Sequence, residues 1–296
     1  MRIGQENTKK VRKHCRYNDL SYENSQTRQG KMKLGVIGCG NMGRAIVQGI
    51  IKNNILLPDS VFLNDAAAEK MDKLAGEIGA FSAGLDEILG NCDVILIAIK
   101  PQDSQDFMEK LRGKLDGQVL VSVMAGVNIS GILGYVDRKV PVVRAMPNMA
   151  AFIGRSVTGI SFSDSITDEH KEAIIGIFKS IGTVVEIEET QMDAVTALSG
   201  SGPAYLFYLA QAMIEAGVEM GISAEKAKQL VFGTIEGSGN FLMSSGSNPS
   251  ELIDKVASKG GTTESALNVL NDKKVGVAIK EAILMAKDRS KEISGG

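Results

Sequence analysis

The chain has 296 residues, 44% hydrophobic and 23% charged, with a net charge of −2. That length suits two domains with a sizeable core, the composition is that of a soluble globular protein, and the near-neutral balance gives no basis for binding nucleic acid. Its three cysteines (Cys15, Cys39, Cys92) and two histidines (His14, His170) are widely separated. Neither a disulfide framework nor a metal site is suggested, a reducing, cytoplasmic setting fits, and histidine catalysis is disfavoured.

Residues 1–31 carry eight basic residues (Arg2, Lys9, Lys10, Arg12, Lys13, Arg16, Arg28, Lys31) against Glu6, Asp19 and Glu23. No apolar segment of the signal-peptide kind follows them, and they lack apolar periodicity. The pattern predicts a disordered N-terminal extension, with Met32 as the functional start.

From Met32 the chain alternates strand and helix signals. Lys33 to Ile37 is an apolar run that breaks at Gly38, Cys39, Gly40, Asn41, Met42 and Gly43 and then enters a helical pattern. Gly38 permits a tight turn, Gly40 lets the backbone approach a pyrophosphate, and Gly43 lets the helix pack close to the strand. The helix N-terminus then offers free N–H groups to the dianion. Glycines at this spacing also make ordinary βα turns, so context decides.

That context is favourable. Val61 to Asp65 reads as a second strand, and Asp65 follows Gly43 by 22 residues (65 − 43), where a carboxylate accepts hydrogen bonds from a ribose 2′-OH. Asp93 to Ile99 is continuously apolar, as in a parallel strand buried on both faces. Val119 to Met124 and Val140 to Met146 follow at similar intervals. Repeated βα units of this kind predict a doubly wound parallel sheet of Rossmann type, with its ligand at the carboxyl ends of the strands. Those ends hold Asn64 and Asp65, Ile99, Lys100 and Pro101, Met124 to Gly126, and Met146 to Asn148. Lys100 is expected to point its charge at the crevice.

Two more short strands, 157–160 and 184–187, flank a helix starting near Thr167, closing a dinucleotide-binding domain over 32–188. Residues 189–296 read as helix throughout, an all-α domain. Between Pro203 and Met220 nearly every residue is apolar or small, with Gln211, Glu215 and Glu219 as the only polar strip. Such a helix must be buried on almost every side, yet it is too interrupted to span a membrane. A domain of about a hundred residues covers it poorly alone, which predicts a second subunit.

One loop stands out in the helical part: Ser258, Lys259, Gly260, Gly261, Thr262 and Thr263, followed by apolar residues at helical spacing. Glycines and hydroxyls before a helix present N–H donors suited to a carboxylate, although any helix cap has the same composition. Together with the glycine turn, the chain resembles the Δ1-pyrroline-5-carboxylate reductase family. The matching pieces are Ile37–Gly43, Ala98–Gln102, Arg144–Asn148, Asp193–Tyr205 and Ser258–Thr263, in the family's order, covering all but the tail.

The resemblance implies a reductase passing hydride from NADH or NADPH to the C=N carbon of pyrroline-5-carboxylate, completing proline synthesis. It implies a homodimer with interlocked helical domains, dimers assembling into a decamer, and a site where one subunit's nucleotide domain meets its partner's helices. Thr263 would hydrogen-bond the ring nitrogen, while Ser258, Gly260, Gly261 and Thr262 hold the carboxylate. Ala98, Ile99, Lys100 and Pro101 with Val123, Met124 and Ala125 would line the nicotinamide side.

The chemistry agrees with this. Ketone reduction creates an alkoxide and needs a positioned acid, whereas a protonated cyclic imine yields a neutral amine and needs mainly orientation. Lysine-dependent hydroxyacid dehydrogenases carry their lysine on the first helix of the second domain, but Tyr205 to Gly221 contains none. A non-catalytic nucleotide sensor would have no use for the second, carboxylate-binding loop. The chain departs from the common family pattern at Met149, Ala150 and Lys259. After the second strand, Asp65 followed by Ala66 to Ala68 replaces the arginine or hydroxyl residues that hold a 2′-phosphate, which favours NADH.

Overall fold

The computed structural model describes residues 32–136 and 140–293. The expectation for residues 1–31 lies outside the described residues. The first half is one eight-stranded sheet, β1 (Leu34–Ile37), β2 (Val61–Asn64), β3 (Phe81–Ser82), β4 (Val94–Ile97), β5 (Val119–Ser122), β6 (Val142–Met146), β7 (Ser156–Phe162) and β8 (Gly182–Glu186), in the order β3-β2-β1-β4-β5-β6-β7-β8. Between the strands run α1 (Asn41–Lys52), α2 (Ala68–Ile78), α3 (Leu85–Asn91), α4 (Ser104–Leu111), α5 (Ile129–Tyr135) and α6 (Asp168–Lys179).

Alternation along the buried strands divides the core in two. Leu34, Val36, Val94 and Leu96 face a cluster with Ile46 and Ile50 of α1 and Ile177 and Phe178 of α6. Ile37, Ile95 and Ile97 face another with Ile88 of α3, Met108 and Leu111 of α4 and Ile132 of α5. Both faces are thus covered by helices, which is why these strands read as unbroken apolar runs.

The strands β1 to β6 are parallel, but β7 runs antiparallel to β6, with Met146 opposite Gly159. The expected doubly wound parallel sheet is thus present through β6, with one antiparallel pairing added at β7. The connection from Met146 to Ser156 is one 3₁₀ segment (Met149–Ile153) ending at Gly154 with φ of 69°. It is too short for a crossover that would bring the chain back to the same end. From β7 the chain crosses over through α6, so β8 is parallel to β7. The short strand β3 was not anticipated, since Phe81-Ser82 has no length over which alternation could register.

From Glu189 onward the chain is helical: a 3₁₀ turn (Glu189–Gln191), α7 (Met192–Val195), a π-turn (Thr196–Gly200), α8 (Gly202–Glu219), α9 (Ala224–Ser245), α10 (Pro249–Val256), α11 (Thr262–Asp272) and α12 (Val275–Ile293). The start of this helical stretch, residues 189–200, is therefore three short pieces of different pitch. The Ser201 N–H reaches Thr196 O at 2.8 Å, widening the last turn before Pro203, which has no N–H of its own to continue the ladder. Helices α8 and α9 pack on each other, with Gly217 against Ala227.

Little of α8 is covered within the chain. Only Ala210 and Gly217 are buried, while Leu206, Phe207, Tyr208 and Leu209 are all more than half exposed. No helix among the described residues is long and apolar enough to cross a membrane.

One core position carries an avoidable cost. Thr158 on β7 is fully buried, and its Oγ1 has no hydrogen-bond partner among the described residues. Thr158→Val keeps the shape and removes the orphaned hydroxyl, so chemical denaturation should show a gain of about 1 kcal/mol. A loss of stability would mean that the hydroxyl is satisfied in the native protein.

Candidate active site

The carboxyl ends of β1, β2, β4 and β5 are fastened edge to edge. Gly38 N–H donates to Asn64 O at 2.8 Å, Ala98 N–H to Ile37 O at 2.7 Å, and Val123 N–H to Ile97 O at 3.1 Å. The residues expected to hold a dinucleotide therefore lie along one crevice. Gly38 has φ of +102°, and a Cβ there would sit 2.6 Å from Ala98 O. A Cβ on Gly43 would overlap the Gly38 carbonyl oxygen, so helix α1 can leave the turn at this angle only because Gly43 has no side chain. Gly40, in contrast, faces open space and serves as N-cap of α1 with no side-chain cap. The first-turn amides after it have no partner within the helix. Open space beside uncapped amides fits a pyrophosphate.

Asp65 reaches back into this turn. Its Oδ2 accepts from Cys39 N–H at 2.6 Å and its Oδ1 from Ala67 N–H at 2.8 Å. The carboxylate is thus held beside the glycine turn. Burial, followed by the nearby Asp65 charge, pushes the Cys39 thiol up from 9.0 to about 12. Cys92 is raised to about 12 as well, by burial first and then by Asp93. Lys100 is exposed at the mouth of β4. His170 is a half-buried residue in the first turn of α6, its ring 3.0 Å from the hydroxyl of the N-cap Thr167.

The second anchor is a tight turn of its own. Gly260 has φ of +74°, and a Cβ on Gly261 would stand 2.6 Å from Ser258 Oγ. Gly261 N–H donates to Ser258 O at 3.0 Å, and Gly260 N–H donates to Glu264 Oε2 at 2.7 Å. Thr262, Thr263 and Glu264 then open α11, which no side chain caps at Gly261. Within the described residues the hydrogen bonds of this loop are all local. One chain does not hydrogen-bond it to the glycine turn.

Glu264 escaped the sequence reading, although an acid in the first turn after a Ser/Gly cap is the signal of a capping carboxylate. The cluster around Arg144 was missed too. Arg144 is 4% exposed in β6, paired with Asp193 at 3.5 Å and Glu189 at 3.8 Å. An arginine between Val143 and Ala145 on a buried strand signals such partners, because a buried charge must be paired. The segments Arg144–Asn148 and Asp193–Tyr205 touch throughout. Besides Arg144 with Asp193, Asn148 Nδ2 donates to Ser199 O at 3.2 Å, a Cβ on Gly200 would meet Met146 Cε at 2.7 Å, and Tyr205 OH donates to Ala197 O at 3.1 Å.

Comparison with known proteins agrees with both halves. A family model described as pyrroline-5-carboxylate reductase dimerisation matches residues 189–293, and one described as NADP oxidoreductase, coenzyme F420-dependent, matches residues 33–126. The chain is 34% identical over 263 residues to pyrroline-5-carboxylate reductase 2 of Bacillus subtilis, covering 88% of this chain and 95% of the relative. It is 35% identical to pyrroline-5-carboxylate reductase of Aquifex aeolicus, covering 88% and 97%. Among solved structures, Plasmodium falciparum pyrroline carboxylate reductase with NADP bound superposes with a TM-score of 0.82 at 29% identity, over 90% of this chain and 99% of that one.

The buried thiols generate a prediction. Their folded values lie above the unfolded ones, so the stabilisation is complete below pH 9.0 and is lost as pH rises toward about 12. Denaturation at rising alkaline pH should show the advantage of wild type over Cys39→Ala shrinking across that window; a constant difference would contradict it. In a Cys15→Ser background, neither thiol should react with a thiol reagent at about pH 8 until the chain is unfolded.

Proposed function

The chain belongs to the pyrroline-5-carboxylate reductase family, and we propose that Ser258 to Thr263 of one protomer complete the reductase site on the nucleotide half of another. The protein is an NAD(P)-dependent oxidoreductase acting on C=N bonds, reducing 1-pyrroline-5-carboxylate to L-proline in proline biosynthesis. The observation that carries the assignment of the second anchor is the start of α11, where Thr262 and Thr263 follow a glycine N-cap that no side chain caps.

In this reading residues 32–188 form the nucleotide domain and residues 189–296 the dimerisation and substrate domain. Ile37 to Gly43, Asp65, Ala98 to Pro101 and Val123 to Ala125 hold the cofactor, whose nicotinamide supplies the hydride when bound. The Thr263 hydroxyl accepts from the ring N–H of the protonated imine and orients the C=N carbon. Ser258, Gly260, Gly261 and Thr262 take the carboxylate. Glu264 now makes, from within the chain, the kind of contact with Gly260 that a substrate carboxylate would make. Reduction of the protonated imine gives a neutral amine, so no buried acid is required. Near-attack orientation is worth up to roughly 7–11 kcal/mol of such a barrier.

The exposed face of α8 supports the second protomer. A groove of about 810 Å³ runs beside it, lined by Phe152, Ile153, Leu198, Leu206, Phe207 and Ile283. An apolar trough of this kind fits the helices of another copy. Further assembly of dimers into a decamer, and a cytoplasmic location, belong to the same reading and rest on the family resemblance.

The Asp65 carboxylate, fixed by two amides beside the glycine turn, is placed to accept from a ribose 2′-OH and to repel a 2′-phosphate. NADH is therefore the assigned donor. Initial rates with pyrroline-5-carboxylate should favour NADH over NADPH, and Asp65→Ser should narrow the preference; a clear NADPH preference in the wild type would overturn the assignment. Thr263→Ala should lower kcat/KM by about 10–1000-fold, the range for losing a hydrogen bond to the reacting group in the transition state. Unchanged kinetics would remove Thr263 from the site.

A further inference from the structure

The loop from Val123 to Asn128, between β5 and α5, is gripped from the helical half at two points. At its far end, Glu189 Oε1 accepts the Ile129 N–H that opens α5, at 2.5 Å. Near its middle, Gly126 has φ of +73°, and the side chain of Ile293 lies over its Cα: a Cβ there would stand 2.5 Å from Ile293 Cγ2 and 3.0 Å from Ile293 Cβ. Ile293 is the last residue of α12.

Both grips trace back to one buried cation. Arg144 pairs with Glu189 and with Asp193, and Asp193 Oδ1 in turn accepts from Ser290 Oγ at 2.8 Å. Ser290 is 4% exposed and stands one helical turn before Ile293. The guanidinium on β6 thereby fixes Glu189 on one side of the loop and, through Asp193 and Ser290, the end of α12 on the other.

We infer that Glu189 and Ile293 are positioning residues for the nicotinamide wall. They hold the backbone of Val123 to Gly126 at the depth and angle hydride transfer needs, without touching the cofactor or the substrate. This rests on the reading of Val123 to Ala125 as that wall. A displacement of about 1 Å at a reacting pair is enough to cost on the order of 100-fold in rate.

The test compares Glu189→Ala, Ile293→Ala and Ile293→Val in the full-length protein. Turnover of pyrroline-5-carboxylate, the primary isotope effect with deuterated NADH and the affinity for ADP-ribose are measured on each. ADP-ribose occupies the glycine turn but lacks the nicotinamide. Glu189→Ala and Ile293→Ala should lower kcat by about 10–100-fold with a larger isotope effect, while ADP-ribose affinity stays within about twofold. Ile293→Val, which keeps Cγ2, should restore most of the rate. Unchanged turnover in both alanine variants, or parallel loss of ADP-ribose binding as expected of general loosening, would overturn the inference. Ala125→Leu, inside the wall itself, separates the two ideas. If it alone impairs turnover, the wall reading stands and the positioning role falls; if it too is silent, the wall reading fails as well.

Discussion

Each large apolar side chain left in water forgoes about 1.5–3 kcal/mol relative to burial, and helices α8 and α9 carry many of them. Leu206, Phe207, Tyr208 and Leu209 on α8 and Leu230, Phe232, Phe241 and Met243 on α9 are all more than half exposed in a single chain. In the sheet half helices cover both faces of the strands, and the exposed apolar residues Met149, Phe152 and Ile153 line the same groove beside α8. The uncovered helices therefore define what the fold still requires: another apolar surface of similar extent. A second copy supplies one of matching character, and the family match over residues 189–293 is to a dimerisation domain.

Within the chain, the two halves are joined by side chains rather than by sequence proximity. Arg144 lies in the sheet, yet its carboxylate partners Glu189 and Asp193 stand at the start of the helical half. A buried ion cluster of this kind is weak evidence for stability, since desolvation offsets much of the attraction. What it provides is a fixed geometry. Met146, Asn148 and Tyr205 add contacts that seat the Ser199-to-Pro203 bend on the end of β6. The segments that carry the family resemblance away from the glycine turn are thus in large part the segments where the halves meet.

How much of this was legible in the sequence depended on the range of the interactions. The strand-turn-helix at Gly38 to Gly43 was readable because each glycine answers a local requirement, a positive φ at Gly38 and a close approach at Gly43. Asp65 was readable from spacing alone, although its hydrogen bond to Cys39 N–H was not. The reversal of β7 was missed because the apolar pattern of Val157 to Ile160 is the same in either direction; only the length of the connection after Met146 decides it. Glu189 and Ile293 were invisible as a pair, since each lies more than sixty positions from their shared target, the Val123-to-Asn128 loop, and only tertiary packing brings them to it. The Ser258-to-Thr263 loop stood out by composition, but that its hydrogen bonds among the described residues are all local, with none to the glycine turn, emerges only in three dimensions.

The central claim is that the nucleotide half of one protomer works with the Ser258-to-Thr263 loop of another. Gly40→Asp places a carboxylate where the proposed site seats the pyrophosphate, at a position with open space around it, and Thr263→Ala removes the hydroxyl of the loop. Each variant alone is expected to be impaired. Coexpressed in equal amounts, they form hybrid pairs in which one site combines an intact nucleotide half with an intact loop, so pyrroline-5-carboxylate reduction should return to about a quarter of wild type. Activity no greater than the average of the two separate variants would mean that both anchors come from the same chain, and would contradict the account.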